Sequence, residues 1–126
     1  IYTLPGMLEL CSAIGENAGL LLDSWHWYTS GGTLEDFKKL KNKNVIHVHM
    51  NDAPAGIPRE EQIDNRRRLP GATGVIDITG FLKALKACHY DGPLTAEPFD
   101  QDLNKMPPEE AAAETAKATF AVMQGI

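Results

Sequence analysis

The segment Val45-Ile46-His47-Val48-His49-Met50-Asn51-Asp52 places two histidines and an acid at the end of a short apolar run. Two other segments share this arrangement: Gly19-Leu20-Leu21-Leu22 leads into Asp23, and Leu94-Thr95-Ala96 leads into Glu97. Short apolar runs of this kind are typical of parallel strands that are buried on both faces. Parallel β/α barrels carry their chemistry at the carboxyl ends of such strands. The three segments therefore predict part of the mouth of a parallel barrel.

Helical patterns separate these strands. Four helices are predicted. The first covers residues 8–14, and the other three begin after Thr33, at Asp77 or Thr79, and at Pro107. Two connections are predicted as loops, the aromatic segment 25–28 and the long segment 51–75. The resulting order, α-β-α-β-α-β-α, indicates an α/β fold with parallel βαβ units. A whole barrel needs roughly 200 or more residues, so we expect residues 1–126 to form a single domain that is a partial barrel.

Composition narrows the classes of protein to which the chain can belong. The formal net charge of -5 over 126 residues argues against nonspecific nucleic-acid binding, which needs a cationic surface. We expect no membrane association, because no apolar run approaches the roughly 20 residues of a membrane span. Cys11 and Cys88 are expected to be buried free thiols in the reducing cytoplasm. Because the first residue is Ile1 and not methionine, we expect a piece of a longer protein.

Asp23, His49 and Glu97 form the predicted metal-ligand set, since each follows or ends a predicted strand on the same edge of the sheet. Two carboxylates and an imidazole suit Mn²⁺, Mg²⁺, Co²⁺ or Zn²⁺ and do not distinguish among them. Each residue alone also has a structural interpretation: a cap for Asp23, a core position for His49 and a solvated carboxylate for Glu97.

Two further histidines accompany this set. His26 is predicted to contact substrate, with a second metal ligand or a stacked loop histidine as alternatives. His47 and His49 alternate along one strand, so their side chains should share a face. His47 is predicted to lie deeper in the barrel, buried and hydrogen-bonded beside the ligand set.

The long connection carries the run Arg66-Arg67-Arg68 close to Pro70-Gly71. Arg67 could form a bidentate contact with a substrate oxyanion, or an arginine of this run could pair with Asp64. Trp25 is a candidate wall of a sugar pocket, although an aromatic residue at a strand end can equally be a packing residue.

The chain resembles the xylose isomerase-like sugar phosphate isomerase/epimerase family of TIM barrels. The motifs that carry the resemblance occur in the family's order: LLLDSWHW (20–27), VIHVHMNDA (45–53), DNRRRLPGATGVIDI (64–78) and YDGPLTAEPF (90–99). They extend over nearly the whole chain. The resemblance implies that the three strands correspond to strands 6–8, the C-terminal half of the barrel.

This resemblance also implies roles for individual residues. It assigns Asp23, His49 and Glu97 to the metal, and His26 and Arg67 to a small sugar or polyol substrate. In family epimerases, two metal-bound glutamates exchange a proton α to the carbonyl while the metal holds an enediolate. The resemblance implies that Glu97 is the catalytic member of that pair in this chain. In the family, the partner glutamate ends the strand that precedes this chain's first helix.

Neither Glu9 nor Glu16 matches that partner glutamate, because both lie on or beside the helix that follows its strand. We therefore expect the chain alone to be weakly active or inactive.

One alternative is a non-catalytic half-barrel that acts through self-association, because open sheet edges need a partner. That partner would be a second copy or the N-terminal half-barrel. A less favoured alternative is an apurinic endonuclease-type zinc enzyme, which would need an Asp-x-His pair in the long connection; Asp64 is followed by Asn65 and Arg66.

Overall fold

A computed structural model describes residues 2–126, in which three strands alternate with α-helices. The strands are parallel and pair in the order β1-β2-β3. The elements are α1 (Leu4–Ile14), β1 (Leu20–Asp23), α2 (Ser24–Thr29), β2 (Val45–Met50), α3 (Ile78–Ala87), β3 (Leu94–Ala96) and α4 (Pro108–Met123). Short 3-10 helices cover Leu34–Lys39, Asn42–Asn44, Arg59–Glu61, Asp64–Arg66 and Leu103–Lys105. The prediction of an α/β partial barrel with three parallel strands is confirmed, and the sheet is open.

The segment after β1 was predicted as an aromatic loop, and this prediction is wrong. Residues Ser24–Thr29 form helix α2, which starts directly after the last residue of β1. The Oδ1 atom of Asp23 accepts hydrogen bonds from the backbone N–H groups of Trp25 (2.7 Å) and His26 (3.1 Å). A side-chain cap of this kind satisfies the free N–H groups of a first helical turn. The strand therefore passes into a helix without an intervening loop.

Two other predicted helices differ in extent or type. Helix α1 begins at Leu4 and not at Leu8, because Thr3 accepts a hydrogen bond from the Gly6 N–H and a proline occupies the first turn. The helix after Thr33 is a 3-10 helix, Leu34–Lys39. The starts of α3, capped by Asp77, and of α4 agree with the prediction.

The hydrophobic core lies between one face of the sheet and the helices. Val48 and Met50 of β2 are fully buried there. The rings of Trp27, Phe37 and Phe81 pack against one another with centroid separations of 5.3–5.8 Å. Apolar burial on this side supplies the main favourable term for folding.

The opposite face of the sheet would line the inside of a barrel. His47 and His49 share this face, with ring centroids 5.0 Å apart, as their alternation predicts. The Nε2 atom of His47 lies 2.8 Å from the Thr95 hydroxyl. His47 is hydrogen-bonded but only half-buried, so the prediction of a buried side chain is wrong; this face of the sheet is open.

Both cysteines are free thiols, as predicted, and both are only partly buried. Burial raises the pKa of the Cys88 thiol, so this group stays protonated at neutral pH. Within residues 2–126, no helix combines the length and apolar character that crossing a bilayer requires.

Asp52 anchors the long connection that follows β2. Its buried carboxylate accepts hydrogen bonds from four backbone N–H groups, those of Ala53, Thr73, Gly74 and Ile76, at 2.8–2.9 Å. The backbone of Asp52 also exchanges two hydrogen bonds with Arg68, at 3.0 and 2.8 Å. One residue, through its side chain and its backbone, thus fixes the second half of the connection against the end of β2.

We predict that Asp52→Ala lowers the free energy of unfolding by at least about 3 kcal/mol, because several backbone N–H groups lose their acceptor. Urea unfolding followed by circular dichroism measures this change. Asp91→Ala is the matched control, since the exposed Asp91 carboxylate accepts a hydrogen bond from the Asn42 side chain at the surface. Equal destabilisation by the two substitutions would contradict the anchoring role of Asp52.

Candidate metal centre

The side chains of Asp23, His49 and Glu97 converge at the carboxyl ends of the strands. Asp23 and His49 are register partners across β1 and β2, and His49 pairs with Thr95 across β2 and β3. Glu97 lies two residues beyond Thr95, and its N–H donates to the Met50 carbonyl at 3.3 Å. The parallel pairing thus continues one residue past β3 and brings Glu97 beside His49.

The geometry of this group fits a single divalent cation. One ligand atom from each residue lies within 4.8 Å of the others. The His49 Nδ1 atom lies 3.1 Å from Glu97 Oε2 and 3.8 Å from Asp23 Oδ2. Two ligands bound about 2.1 Å from one metal ion are about 3.0–3.4 Å apart at octahedral or tetrahedral angles. The distance from His49 to Glu97 already lies in this range and that from His49 to Asp23 exceeds it by about 0.4 Å. The oxygen and nitrogen donors suit the metals predicted from the sequence.

The two carboxylate oxygens of Asp23 have separate partners. Oδ1 caps helix α2, whereas Oδ2 faces His49 and accepts hydrogen bonds from Asn51 Nδ2 (3.2 Å) and Arg67 Nη1 (2.9 Å). Asn51 is held in turn by the Ser24 hydroxyl, which bonds to both its backbone N–H and its carbonyl. Hydrogen bonds that orient a ligand carboxylate are typical of metal sites.

Arg67 lies at the centre of the site, and all of its N–H groups are used. Nε donates to Asp64, Nη1 donates to Asp23 and Glu97, and Nη2 donates to Asp64 and His26. A guanidinium has five N–H donors, so this set accounts for all of them. The internal pairing with Asp64 was one of the two arrangements considered from the sequence. A direct bond from Arg67 to a substrate would replace one of these contacts.

Two aromatic rings enclose the guanidinium of Arg67. Its Cζ atom lies 5.2 Å from the centre of the Trp25 ring and 4.9 Å from the centre of the Phe99 ring. Both distances are within the range of cation–π attraction. The Trp25 ring is buried beneath Arg67 and meets His26 edge-on at 5.3 Å, so it borders the site without being exposed at its mouth.

His26 reaches the site from helix α2. Its Nε2 atom lies 3.0 Å from Arg67 Nη2. Arginine is only a donor, so Nε2 is the acceptor and the proton of the neutral ring is on Nδ1. His26 thus touches the network around the three predicted ligands while its Nδ1–H stays free to donate.

The structure brings together all the predicted site residues: Asp23, Trp25, His26, His49, Arg67 and Glu97. Glu9 is exposed on α1 and Glu16 is exposed after it, and among residues 2–126 neither belongs to the ligand group. Sequence reasoning did not assign roles to Ser24, Asn51, Asp52 and Phe99. The only available signal was their position next to, or two residues beyond, a predicted ligand or strand end.

An open parallel sheet with two carboxylates and an imidazole at its carboxyl edge is typical of part of a β/α barrel and forms a candidate divalent-metal site. The chain belongs to the xylose isomerase-like TIM barrel family, whose family model matches residues 1–121.

Several known proteins are similar to this chain. An inosose isomerase from Bacillus licheniformis is 35% identical over 107 residues, which are 82% of this chain and 36% of the isomerase. A 3-dehydroshikimate dehydratase from Pseudomonas aeruginosa is 34% identical over 92 residues, 72% of this chain and 14% of the dehydratase. Among solved structures, the IOLI protein with a bound zinc atom is 29% identical and superposes with a TM-score of 0.89 over 97% of this chain. The chain spans 44% of that structure, and it spans less than half of each of these three proteins.

Proposed function

We propose that this chain contributes the carboxyl-terminal part of the active site of a metal-dependent isomerase or epimerase acting on a small sugar or polyol. The observation that carries this proposal is the convergence of one ligand atom each from Asp23, His49 and Glu97 within 4.8 Å of one another. Similarity to inosose isomerases supports the substrate class, with inosose as the first compound to test. A divalent metal is supported by the donor set and by the zinc in the IOLI structure; Mn²⁺, Mg²⁺ and Co²⁺ suit the same donors.

In this proposal, Asp23 and His49 hold the metal and Glu97 both binds it and moves a proton. A bound divalent cation would polarise the substrate carbonyl and stabilise negative charge on its oxygen. Glu97 suits proton transfer α to that carbonyl, because its carboxylate is 37% exposed whereas the Asp23 carboxylate is buried. His26 and Arg67 would orient the substrate hydroxyl groups, and Trp25 would support them from below.

Proton exchange on both faces of a substrate carbon needs a second acid or base opposite Glu97. Neither Glu9 nor Glu16 lies with the ligand group, so we propose that another polypeptide segment supplies that residue. On this view, the described residues bind metal weakly and turn over substrate slowly or not at all. We also propose that residues 1–126 fold as one domain and act in the cytoplasm.

Calorimetric titration with Mn²⁺ tests the proposed ligands. We expect His49→Ala and Glu97→Ala to weaken Mn²⁺ binding by at least about tenfold, because each removes one metal ligand. Loss of a residue that only hydrogen-bonds to a ligand can already weaken metal affinity about tenfold. The matched controls are His89→Asn and Glu61→Ala, which change an exposed histidine and an exposed glutamate away from the ligand group. Asparagine is chosen at His89 because this residue has a φ of 61°.

Equal Mn²⁺ affinity in the wild type, His49→Ala and Glu97→Ala would contradict the ligand assignment. If the two control variants also bind Mn²⁺ more weakly, the lower affinity reflects general destabilisation. That result would also count against a specific site.

Self-association is the second candidate function, and the open face of the sheet favours it. Leu21, the register partner of His47, is 57% exposed, and Ile46 of β2 is 62% exposed. Within residues 2–126, no layer covers the sheet face that carries Leu21 and His47. Exposed apolar strand residues and unpaired sheet edges are aggregation hazards unless another chain covers them. A second copy or an N-terminal half-barrel would bury both residues.

We predict that the chain is a homo-oligomer when no other half-barrel is present. Size-exclusion chromatography with light scattering should give a mass of at least twice 13.8 kDa, and Leu21→Lys should shift it toward the monomer. Leu34→Lys is the matched control, since Leu34 is an exposed leucine outside the sheet. A monomeric wild type at high concentration would contradict this prediction.

A further inference from the structure

Asp64 makes a side-on contact with Arg67 that the proposed chemistry does not use. A single oxygen, Asp64 Oδ1, accepts hydrogen bonds from Arg67 Nε at 3.0 Å and from Nη2 at 2.5 Å. The Asp64 side chain is 57% exposed, whereas that of Arg67 is 4% exposed. Asp64 is the first residue of the 3-10 helix Asp64–Arg66, and Arg67 directly follows the last residue of that helix. The contact is therefore local, and it links solvent to the buried centre of the site.

The charges around Arg67 give Asp64 a distinct task. Three carboxylates contact the guanidinium: those of Asp23, Glu97 and Asp64. Asp23 and Glu97 offer Arg67 the same oxygens, Oδ2 and Oε2, that face His49 Nδ1. A divalent cation bound by these oxygens would draw on their charge, and Asp64 would remain as the carboxylate that balances Arg67. An unbalanced guanidinium beside the cation would repel it.

The contacts of Arg67 also determine how it can move. Trp25 and Phe99 lie close to its guanidinium, and the Asp64 contact fixes the edge that carries Nε and Nη2. When that edge is fixed, Nη1 points between Asp23 and Glu97 and holds both carboxylates toward His49. Loss of the Asp64 contact would free this edge and allow the guanidinium to turn away from Asp23 and Glu97.

We infer that Asp64 is a positioning residue of the metal centre, which acts through Arg67 by fixing its orientation and balancing its charge. The inference rests on the proposed function, because it concerns the affinity of the proposed metal site. Asp64 is an exposed carboxylate in the long connection and lies outside the ligand group. Under this inference it nevertheless affects how tightly that group binds metal.

A double-mutant cycle on Mn²⁺ affinity tests this inference. Asp64→Asn should weaken Mn²⁺ binding about fivefold in the otherwise wild-type chain, since contacts outside the ligand set commonly change metal affinity. In the Arg67→Met background, the same substitution should change the affinity by less than about 1.5-fold, because the residue through which Asp64 acts is gone. Glu61→Gln removes an exposed acid from the same connection and should leave the affinity unchanged in both backgrounds. An equal effect of Asp64→Asn in both backgrounds, or no effect in the wild type, would overturn the inference.

A second measurement keeps the test independent of metal binding. In ¹⁵N-labelled protein, the Arg67 Nε–H resonance, assigned by its absence from Arg67→Met, should exchange with solvent at least about tenfold faster in Asp64→Asn than in the wild type or Glu61→Gln. Unchanged exchange would overturn the inference. If the wild type binds no Mn²⁺, the proposed function fails. Faster Nε–H exchange in Asp64→Asn would then still support the positioning of Arg67 by Asp64.

Discussion

A buried positive charge must be paired, and in this molecule the pairing of one guanidinium organises the site. Burying an arginine is costly unless each of its donors reaches an acceptor. Arg67 meets this condition by contacting Asp23, His26, Asp64 and Glu97, which come from different parts of the chain. Breaking any one of these contacts leaves a buried donor without a partner. The arrangement of the site and the path of the long connection are therefore mutually dependent.

The backbone restraint for this cluster comes from Asp52. Its carboxylate satisfies the backbone N–H groups of residues 73, 74 and 76, and its backbone pairs with Arg68, the residue next to Arg67. The connection thus behaves as part of the rigid framework even though it contains only short 3-10 helices. A functional loop held by a rigid scaffold is the usual way in which an α/β fold places a catalytic side chain.

The sequence was sufficient to predict the parallel strands and the residues at their carboxyl ends. Apolar runs such as Val45–Met50 identify strands without any long-range information, and parallel pairing then brings Asp23, His49 and Glu97 together. Helix α2 was missed because aromatic residues are poor indicators of a helix. The deciding cap is Asp23, whose capping role had been considered only as an alternative to metal binding. One carboxylate serves both purposes through its two oxygens.

Long-range contacts were beyond sequence reasoning for a different reason. The use of every Arg67 donor and the stacking of Phe99 on its guanidinium depend on how a long connection folds back, which local patterns do not encode. The open inner face, where His47 is half-exposed, likewise depends on which segments cover the sheet. Relatives that match this chain are two or more times longer. In a closed barrel, further strands would pair with the edges of this sheet and enclose this face.

The central claim is that Asp23, His49 and Glu97 bind one divalent cation through a single imidazole nitrogen and carboxylate oxygens. Electron spin echo envelope modulation of the Mn²⁺-loaded chain tests it most directly, because this spectroscopy detects nitrogen bound to manganese. We predict modulation from one imidazole nitrogen in the wild type and in His47→Ala, and its loss in His49→Ala. Imidazole modulation that persists in His49→Ala, or that is absent from the Mn²⁺-loaded wild type, would contradict the account.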